Sequence, residues 1–192
     1  MIETSLGLKS RRLILRPLKK NDEPYLYQWN MDPDVRHMWT QDRDIPSYDR
    51  FIEKYTRKIK NRFDLFFMIQ QKTSGQPIGF IYDYASDSID RNAYLCLYID
   101  ENTNARGAGI ESAAIFMNYL FMHYNYRKLY SEVYEFNTHA LSITRKAGFQ
   151  EEGCLKDYRY WNGKYWDQYI FSITAQAFSE KYKKYEYYFN KH

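Results

Sequence analysis

The residues with the most chemistry in them are Arg106-Gly107-Ala108-Gly109, set between an apolar stretch that ends at Asp100 and a stripe of Ile110, Ala113, Ala114, Met117, Leu120 and Phe121 at helical spacing. A strand that turns abruptly into a helix directs successive backbone N–H groups toward one point. The first turn of the helix also leaves its N–H groups without intrahelical partners. The helix dipole puts partial positive charge at the same place. Together these favour a phosphate or pyrophosphate. Glycine at 107 and 109 lets the backbone approach the anion, and Arg106 adds charge. The same residues also suit a plain tight turn, so spacing alone leaves both readings open. Two familiar phosphate loops are excluded. A Walker loop needs a Lys-Ser/Thr pair after its glycines, and a dinucleotide fingerprint needs a third glycine in an opening βαβ unit; the segment has neither.

The elements that must position this loop follow from periodicity. Residues 11–18 alternate charged and apolar side chains, as a half-buried strand does, and Pro17 closes it. Asp22 is the expected N-cap of a helix to about Asn30, with Pro24 tolerated in its first turn. Ser47 is placed to cap a second helix whose apolar face is Phe51, Ile52, Tyr55 and Ile59. Strands are expected over 64–70, 78–84 and 92–100, the first two joined by Ser74-Gly75-Gln76-Pro77. Beyond the stripe come a strand over 129–136, a short helix capped by Asn137 and stopped by Gly148, and a hairpin of 154–161 and 165–173 around Asn162-Gly163. A last helix begins near Ala175. With no repeat, linker or composition break, a single domain over residues 1–192 is expected, of the α/β (α+β) class.

Composition narrows the function classes. No apolar run reaches membrane-spanning length, and Met1-Ile2-Glu3-Thr4-Ser5 lacks a basic-then-apolar signal pattern. Cys96 and Cys154 lie far apart without metal-type spacing, so they read as reduced thiols of a cytoplasmic chain, with no metal site. The net charge of +4 gathers partly in residues 181–192, which suit a solvated helix end better than a nucleic-acid surface. Tyrosine is abundant, at 21 residues, but shows no ordered alternation with basic residues, so it does not make a stacking platform.

At this point a family resemblance is plain. Arg106-Gly107-Ala108-Gly109 is similar to the coenzyme A pyrophosphate loop of the GNAT acetyltransferases, whose pattern is Gln/Arg-x-x-Gly-x-Gly/Ala. Arg106 and Gly109 match. Glu111 stands where the family usually has Gly or Ala, and Ser112 where it often has a small hydroxyl residue near the phosphates. Arg12-Leu13-x-Leu15-Arg16-Pro17-Leu18, Asp22, Trp29 and Asp32-Pro33-Asp34-Val35 resemble the N-terminal half of one branch, that of the ribosomal-protein alanine and spermidine acetyltransferases. Asn137, Lys146, Gly148-Phe149, Glu152-Gly153, Leu155, Gly163, Tyr165 and Asp167 continue the match. The resemblance implies a GNAT-like fold, a mixed but mostly antiparallel sheet of about seven strands with helices on both faces.

It also implies acetyl-CoA as cosubstrate and an amine as acceptor, either a small molecule (polyamine or aminoglycoside) or a protein N-terminus. In similar enzymes the strand before the loop carries a bulge and splays from its neighbour, and pantetheine pairs with the freed backbone. Here that strand is Leu97-Tyr98-Ile99. Asn137 commonly contacts the cofactor there and is equally suited to capping. Direct attack by a neutral amine needs a proton acceptor, a polarised carbonyl and an acid for the thiolate. Thr144 stands where many relatives have a tyrosine acid, seven residues after the asparagine, so another residue or water would protonate the thiolate. Asp83, Glu132 and Tyr98 are the candidate bases. His37, Met38 and Trp39, and Tyr158 and Tyr160 on the hairpin, flank the acceptor in that branch; Trp39 and Tyr158 are the expected acceptor contacts.

Two other readings stay open on the sequence. One is an acetyl-CoA-binding regulatory domain without turnover, favoured by Glu111 and Thr144. The other is a tyrosine-rich nucleic-acid module. Pairing of two copies through a sheet edge or the terminal hairpin, where Tyr158-Arg159-Tyr160-Trp161 stands out, is a further expectation.

Overall fold

The alternation read near the N-terminus forms β1 (Leu13–Pro17), with Leu13 and Leu15 buried on one face and Ile14 and Arg16 half-buried on the other. A 3-10 turn (Lys20–Asp22) leads into α1 (Glu23–Met31), α2 (Pro33–Trp39) and α3 (Tyr48–Arg62). A meander follows, of β2 (Phe63–Gln71), β3 (Pro77–Asp87) and β4 (Asn92–Ile99). Then come α4 (Ala108–His123), β5 (Lys128–Tyr134), α5 (Thr138–Lys146), β6 (Gln150–Trp161), β7 (Lys164–Thr174) and α6 (Ala175–Tyr182). The computed structural model describes residues 8–39 and 45–183. The N-terminal residues 1–5, most of the basic tail and the side chain of Trp39 lie outside the described residues.

The strands make one seven-stranded sheet in the order β1-β2-β3-β4-β5-β7-β6. Every neighbouring pair is antiparallel except β4 and β5. That parallel pair requires a crossover, which α4 supplies. Two cores lie on opposite faces. Leu95, Leu129, Val133, Ile81 and Phe171 pack under α4 with Phe116, Met117 and Leu120. Phe80, Tyr82 and Tyr98 pack under α1 and α3 with Leu26, Trp29, Phe51 and Tyr55. Each fully buried side chain of this size contributes about 1.5–3 kcal/mol by leaving water, so both helical layers are anchored to the sheet.

Local rules account for the boundaries. Asn137 Oδ1 accepts the Ala140 N–H at 3.0 Å, capping α5. At the other end Gly148 takes φ +93°, its N–H donates to Arg145 O at 3.0 Å, and the Phe149 N–H reaches Thr144 O at 3.3 Å. This is the Schellman arrangement that glycine permits. Asn162 and Gly163 adopt φ of 50° and 82°, as a primed hairpin turn requires.

Two expectations need correction. Asp22 precedes α1 but its side chain does not cap it. The carboxylate instead takes two bonds from Arg16, at 2.6 and 2.8 Å, and one from the Lys19 N–H at 2.8 Å. A buried carboxylate facing a guanidinium gains more from that charge-assisted pair than from one cap bond. The helix α2 was not anticipated, because Pro33-Asp34-Val35-Arg36-His37-Met38-Trp39 carries no clean apolar period.

Candidate functional site

The parallel ladder between β4 and β5 is short. It joins Asn92 to Lys128, Ala93 to Leu129 and Tyr94 to Tyr130, and goes no further. Beyond Tyr94, β4 stays with β3 as far as Ile99, while β5 stays with β7 as far as Tyr134. The two strands therefore splay, and the facing edges of residues 95–99 and 131–134 keep backbone groups that no strand between them pairs. The expected bulge is not in β4, whose register with β3 runs unbroken from Tyr94 to Ile99. The irregularity lies instead between Tyr84 and Asp87 of β3, where Ala85 has φ 49°. The split thus needs no bulge; divergence of the two ladders opens it.

The glycine loop sits at the end of β4, on the α4 side of the sheet. Gly107 takes φ +79° and precedes the first residue of α4. A Cβ on Gly109 would meet Leu97 and Ile99 side chains at 3.7 Å, so the first turn of α4 rests on the splayed half of β4. The Ala108 N–H donates to Ala105 O at 2.9 Å and the Glu111 N–H to Gly107 O at 3.2 Å. Between them, the amides of Gly109 and Ile110 lie in the first turn, where no intrahelical carbonyl can reach them. Arg106 and Gly107 are exposed. Unpaired amides beside an exposed arginine are what a diphosphate would need of this loop.

The loop is also anchored from below. Asp100 Oδ1 accepts the Asn102 N–H at 3.0 Å, and Asp100 Oδ2 accepts the Trp29 indole N–H at 3.0 Å. Through Trp29 the loop is tied to α1. Ser112, expected near the phosphates, is instead fully buried, and its hydroxyl donates to Ala108 O at 2.7 Å. Glu111 turns back toward β1. Its carboxylate accepts from Arg12 Nε at 2.7 Å, from Arg12 Nη2 and from the Ser10 hydroxyl.

Paired strand positions share a face, so Tyr84, Tyr94 and Tyr130 line up across three strands on the side away from α4. Their ring centroids are 5.4 and 5.1 Å apart. Two residues along β5 on that face stands Glu132, exposed at the mouth of the split, with the Tyr84 hydroxyl donating to it at 3.0 Å. Burial, and then the Glu132 charge, push the Tyr84 hydroxyl far above its ordinary range. It remains a donor throughout ordinary pH.

The other expected residues are distributed as follows. Asp83 is wholly buried on the α4 face and accepts the Leu65 N–H at 2.8 Å, bracing β2. It faces away from Glu132, so the structure does not bring the two candidate bases together. Tyr98 is buried against Trp29 and Phe80, at 5.5 and 5.4 Å, and burial followed by Asp100 pushes its hydroxyl well up. A phenol held protonated in this way is a poor base. Thr144 lies half-buried at the end of α5, one turn beyond the buried Leu141. Asn137, besides its cap, points Nδ2 at Met38 Sδ, 3.5 Å away, linking α5 to α2. Tyr158 is 54% exposed on the edge strand β6.

Three residues named in the sequence make contacts that it did not indicate. His37 stacks on Trp161 at 4.2 Å and contacts Phe136 at 5.1 Å, so α2 closes over the open end of β5. Arg159, nearly buried, donates to His37 O and lies 5.5 Å from the Tyr134 ring centroid. Arg12 was visible only as part of a strand motif. Its partner Glu111 is 99 residues away, a separation that no local pattern reports. The tyrosine row has a legible trace in hindsight, since Tyr82/Tyr84 and Tyr94/Tyr98 keep the even spacing of one strand face.

Among the described residues, no cluster of His, Cys, Asp or Glu could hold a metal ion, and no helix is long and apolar enough to cross a membrane.

The acetyltransferase (GNAT) domain family matches residues 15–170. The spermidine N(1)-acetyltransferase of Escherichia coli (strain K12) is 28% identical over 154 residues, covering 79% of this chain and 80% of that protein. The Vibrio cholerae spermidine N(1)-acetyltransferase is 24% identical over 156 residues, covering 81% and 89%. Among solved structures, the V. cholerae spermidine N-acetyltransferase in complex with CoA and spermine aligns with a TM-score of 0.77 at 23% identity, over 86% of this chain and 97% of that one.

Proposed function

Since this chain belongs to the GNAT acetyltransferase family and is an N-acetyltransferase that uses acetyl-CoA, we propose that its acceptor is a polyamine bound on the tyrosine-lined face of the sheet. The observation that carries this reading is Glu132, an exposed carboxylate at the mouth of the split, held by Tyr84 beside the row Tyr84-Tyr94-Tyr130. A polyamine is a flexible chain of cations. Aromatic faces attract such cations by ~0.5–2 kcal/mol each, and one carboxylate fixes where an ammonium stops. The similar V. cholerae enzyme was solved with spermine.

The division of labour follows from the two faces. Arg106, Gly107 and the amides of Gly109 and Ile110 hold the diphosphate of the cosubstrate on the α4 side. The edges of Leu97-Tyr98-Ile99 hold its pantetheine in the split. Acetyl-CoA supplies a thioester carbonyl. The amine enters from the tyrosine face, and Glu132 receives the proton it sheds, directly or through one water, as nitrogen bonds to the carbonyl carbon and the C–S bond breaks. Thr144 offers no strong acid for the departing thiolate, which leaves that proton to solvent. Coenzyme A thiolate is a fair leaving group, so the step does not depend on a dedicated donor.

An acceptor panel tests this reading. Thiol release is measured with acetyl-CoA and spermidine, spermine, an aminoglycoside or a peptide with an N-terminal alanine. Turnover is expected with the two polyamines and not with the peptide. Turnover of the peptide or aminoglycoside alone would overturn it.

A further inference from the structure

The acidic residue inside the cofactor loop needs a physical account. Glu111 lies in the first turn of α4, and a carboxylate there competes with a diphosphate for the same amides and the same positive end of the dipole. Its position is nevertheless well defined. Arg12 Nε and Nη2 both bond Glu111 Oε2, and the Ser10 hydroxyl bonds Oε1. Ser10 is fixed in turn, because its oxygen accepts the Leu13 N–H at 2.9 Å and the Arg12 N–H at 3.2 Å. The Ser10 N–H pairs with Leu13 O at 3.0 Å, and the Leu15 N–H with Leu8 O at 2.8 Å, so residues 8–15 form a small hooked platform.

The guanidinium reaches further than its carboxylate partner. Arg12 Nη1 donates to Arg106 O at 3.0 Å, and a Cβ on Gly107 would lie 3.5 Å from Arg12 Nη2. Arg12 thus touches the loop at Arg106 and at the left-handed Gly107, while turning Glu111 away from the helix end.

We propose that Arg12 is a positioning residue for the cofactor: it neutralises Glu111 and clamps the Arg106-Gly107 turn, and so makes a loop that contains a carboxylate able to accept a diphosphate. Without Arg12, the Glu111 charge is free to swing over the Gly109 and Ile110 amides. Removing Glu111 as well restores the neutral small residue usual in similar loops and makes Arg12 largely dispensable. This inference rests on Arg106–Gly109 being the diphosphate loop and is independent of which amine is acetylated.

A double-mutant cycle tests it. Binding of coenzyme A is titrated calorimetrically to wild type, Arg12→Ala, Glu111→Ala and Arg12→Ala/Glu111→Ala, at low and high salt, with thermal unfolding of each. Arg12→Ala is expected to weaken binding roughly tenfold, the effect of one unmasked unit charge a few ångströms from the ligand at a partly wet site. The loss shrinks at high salt, where that charge is screened. The double variant recovers most of the affinity. In kinetics, Arg12→Ala raises KM for acetyl-CoA while KM for S-acetylpantetheine, which lacks the diphosphate, does not rise with it. Unchanged affinity in Arg12→Ala, or a loss that persists in the double variant and extends to S-acetylpantetheine, overturns the proposal. Failure of the wild type to bind coenzyme A would instead reject the loop assignment beneath it.

Discussion

At the scale of single residues, the reading of Glu132 is the most exposed to test. Its carboxylate is placed by the Tyr84 hydroxyl, and the two stand on β3 and β5, which β4 joins through the pairs Tyr84–Tyr94 and Tyr94–Tyr130. Glu132→Gln keeps the shape and the Tyr84 hydrogen bond but removes both the anion and the proton acceptor. We expect kcat/KM for spermidine to fall about 100-fold, in the range usual for loss of a positioned general base, with coenzyme A affinity unchanged. Near-wild-type turnover would remove Glu132 from the reaction. The sequence offered Asp83, Glu132 and Tyr98 on equal terms. Geometry separates them, because alternation along a strand sends Asp83 into the α4 core and leaves Glu132 facing the split.

At the scale of elements, period and turn chemistry were the most legible features. The Asn137 cap, the Gly148 stop and the Asn162-Gly163 turn each express a local backbone rule, and each is where the residues placed it. Local rules failed where a distant partner decided the outcome. Asp22 looked like a cap, yet Arg16 of β1 claims its carboxylate and so fixes β1 to the start of α1. Burial alone would push the Asp22 carboxyl up; the bonds from the Arg16 side chain and the Lys19 amide, with the positive charges of the Arg16 and Lys19 side chains, outweigh it and hold the carboxyl below its ordinary value of 3.8. The stabilisation is therefore complete above that value and is lost as pH falls through the lower value of the folded state. We expect Asp22→Asn to cost about 3 kcal/mol in urea unfolding at neutral pH, and the gap to the wild type to narrow in acid. A gap that stayed constant with pH would show that the charge of this pair does not matter.

At the scale of the whole molecule, the sheet separates two tasks. Its α4 face presents the glycine loop proposed to take the diphosphate, its other face presents the tyrosine row and Glu132, and the divergence of β4 from β5 connects them. The seven strands, their largely antiparallel order and the helices on both faces were readable from pattern and family resemblance. The end of the parallel ladder at Tyr94 and Tyr130 was not, since no residue there marks it; it arises because β5 follows β7 while β4 follows β3. The hold of Arg12 on Glu111 was invisible for a related reason, being a contact between residues 99 positions apart in the chain.

The most direct test of this two-faced arrangement is calorimetric titration of acetyl-CoA into the wild type and a Gly109→Trp variant, with thermal unfolding recorded for both. An indole at 109 would lie between the first turn of α4 and the Leu97 and Ile99 side chains, at the point where the loop meets the split. Micromolar binding is expected for the wild type and none for a variant that still unfolds cooperatively. Equal binding by the two proteins, or no binding by the wild type, would contradict the two-faced arrangement.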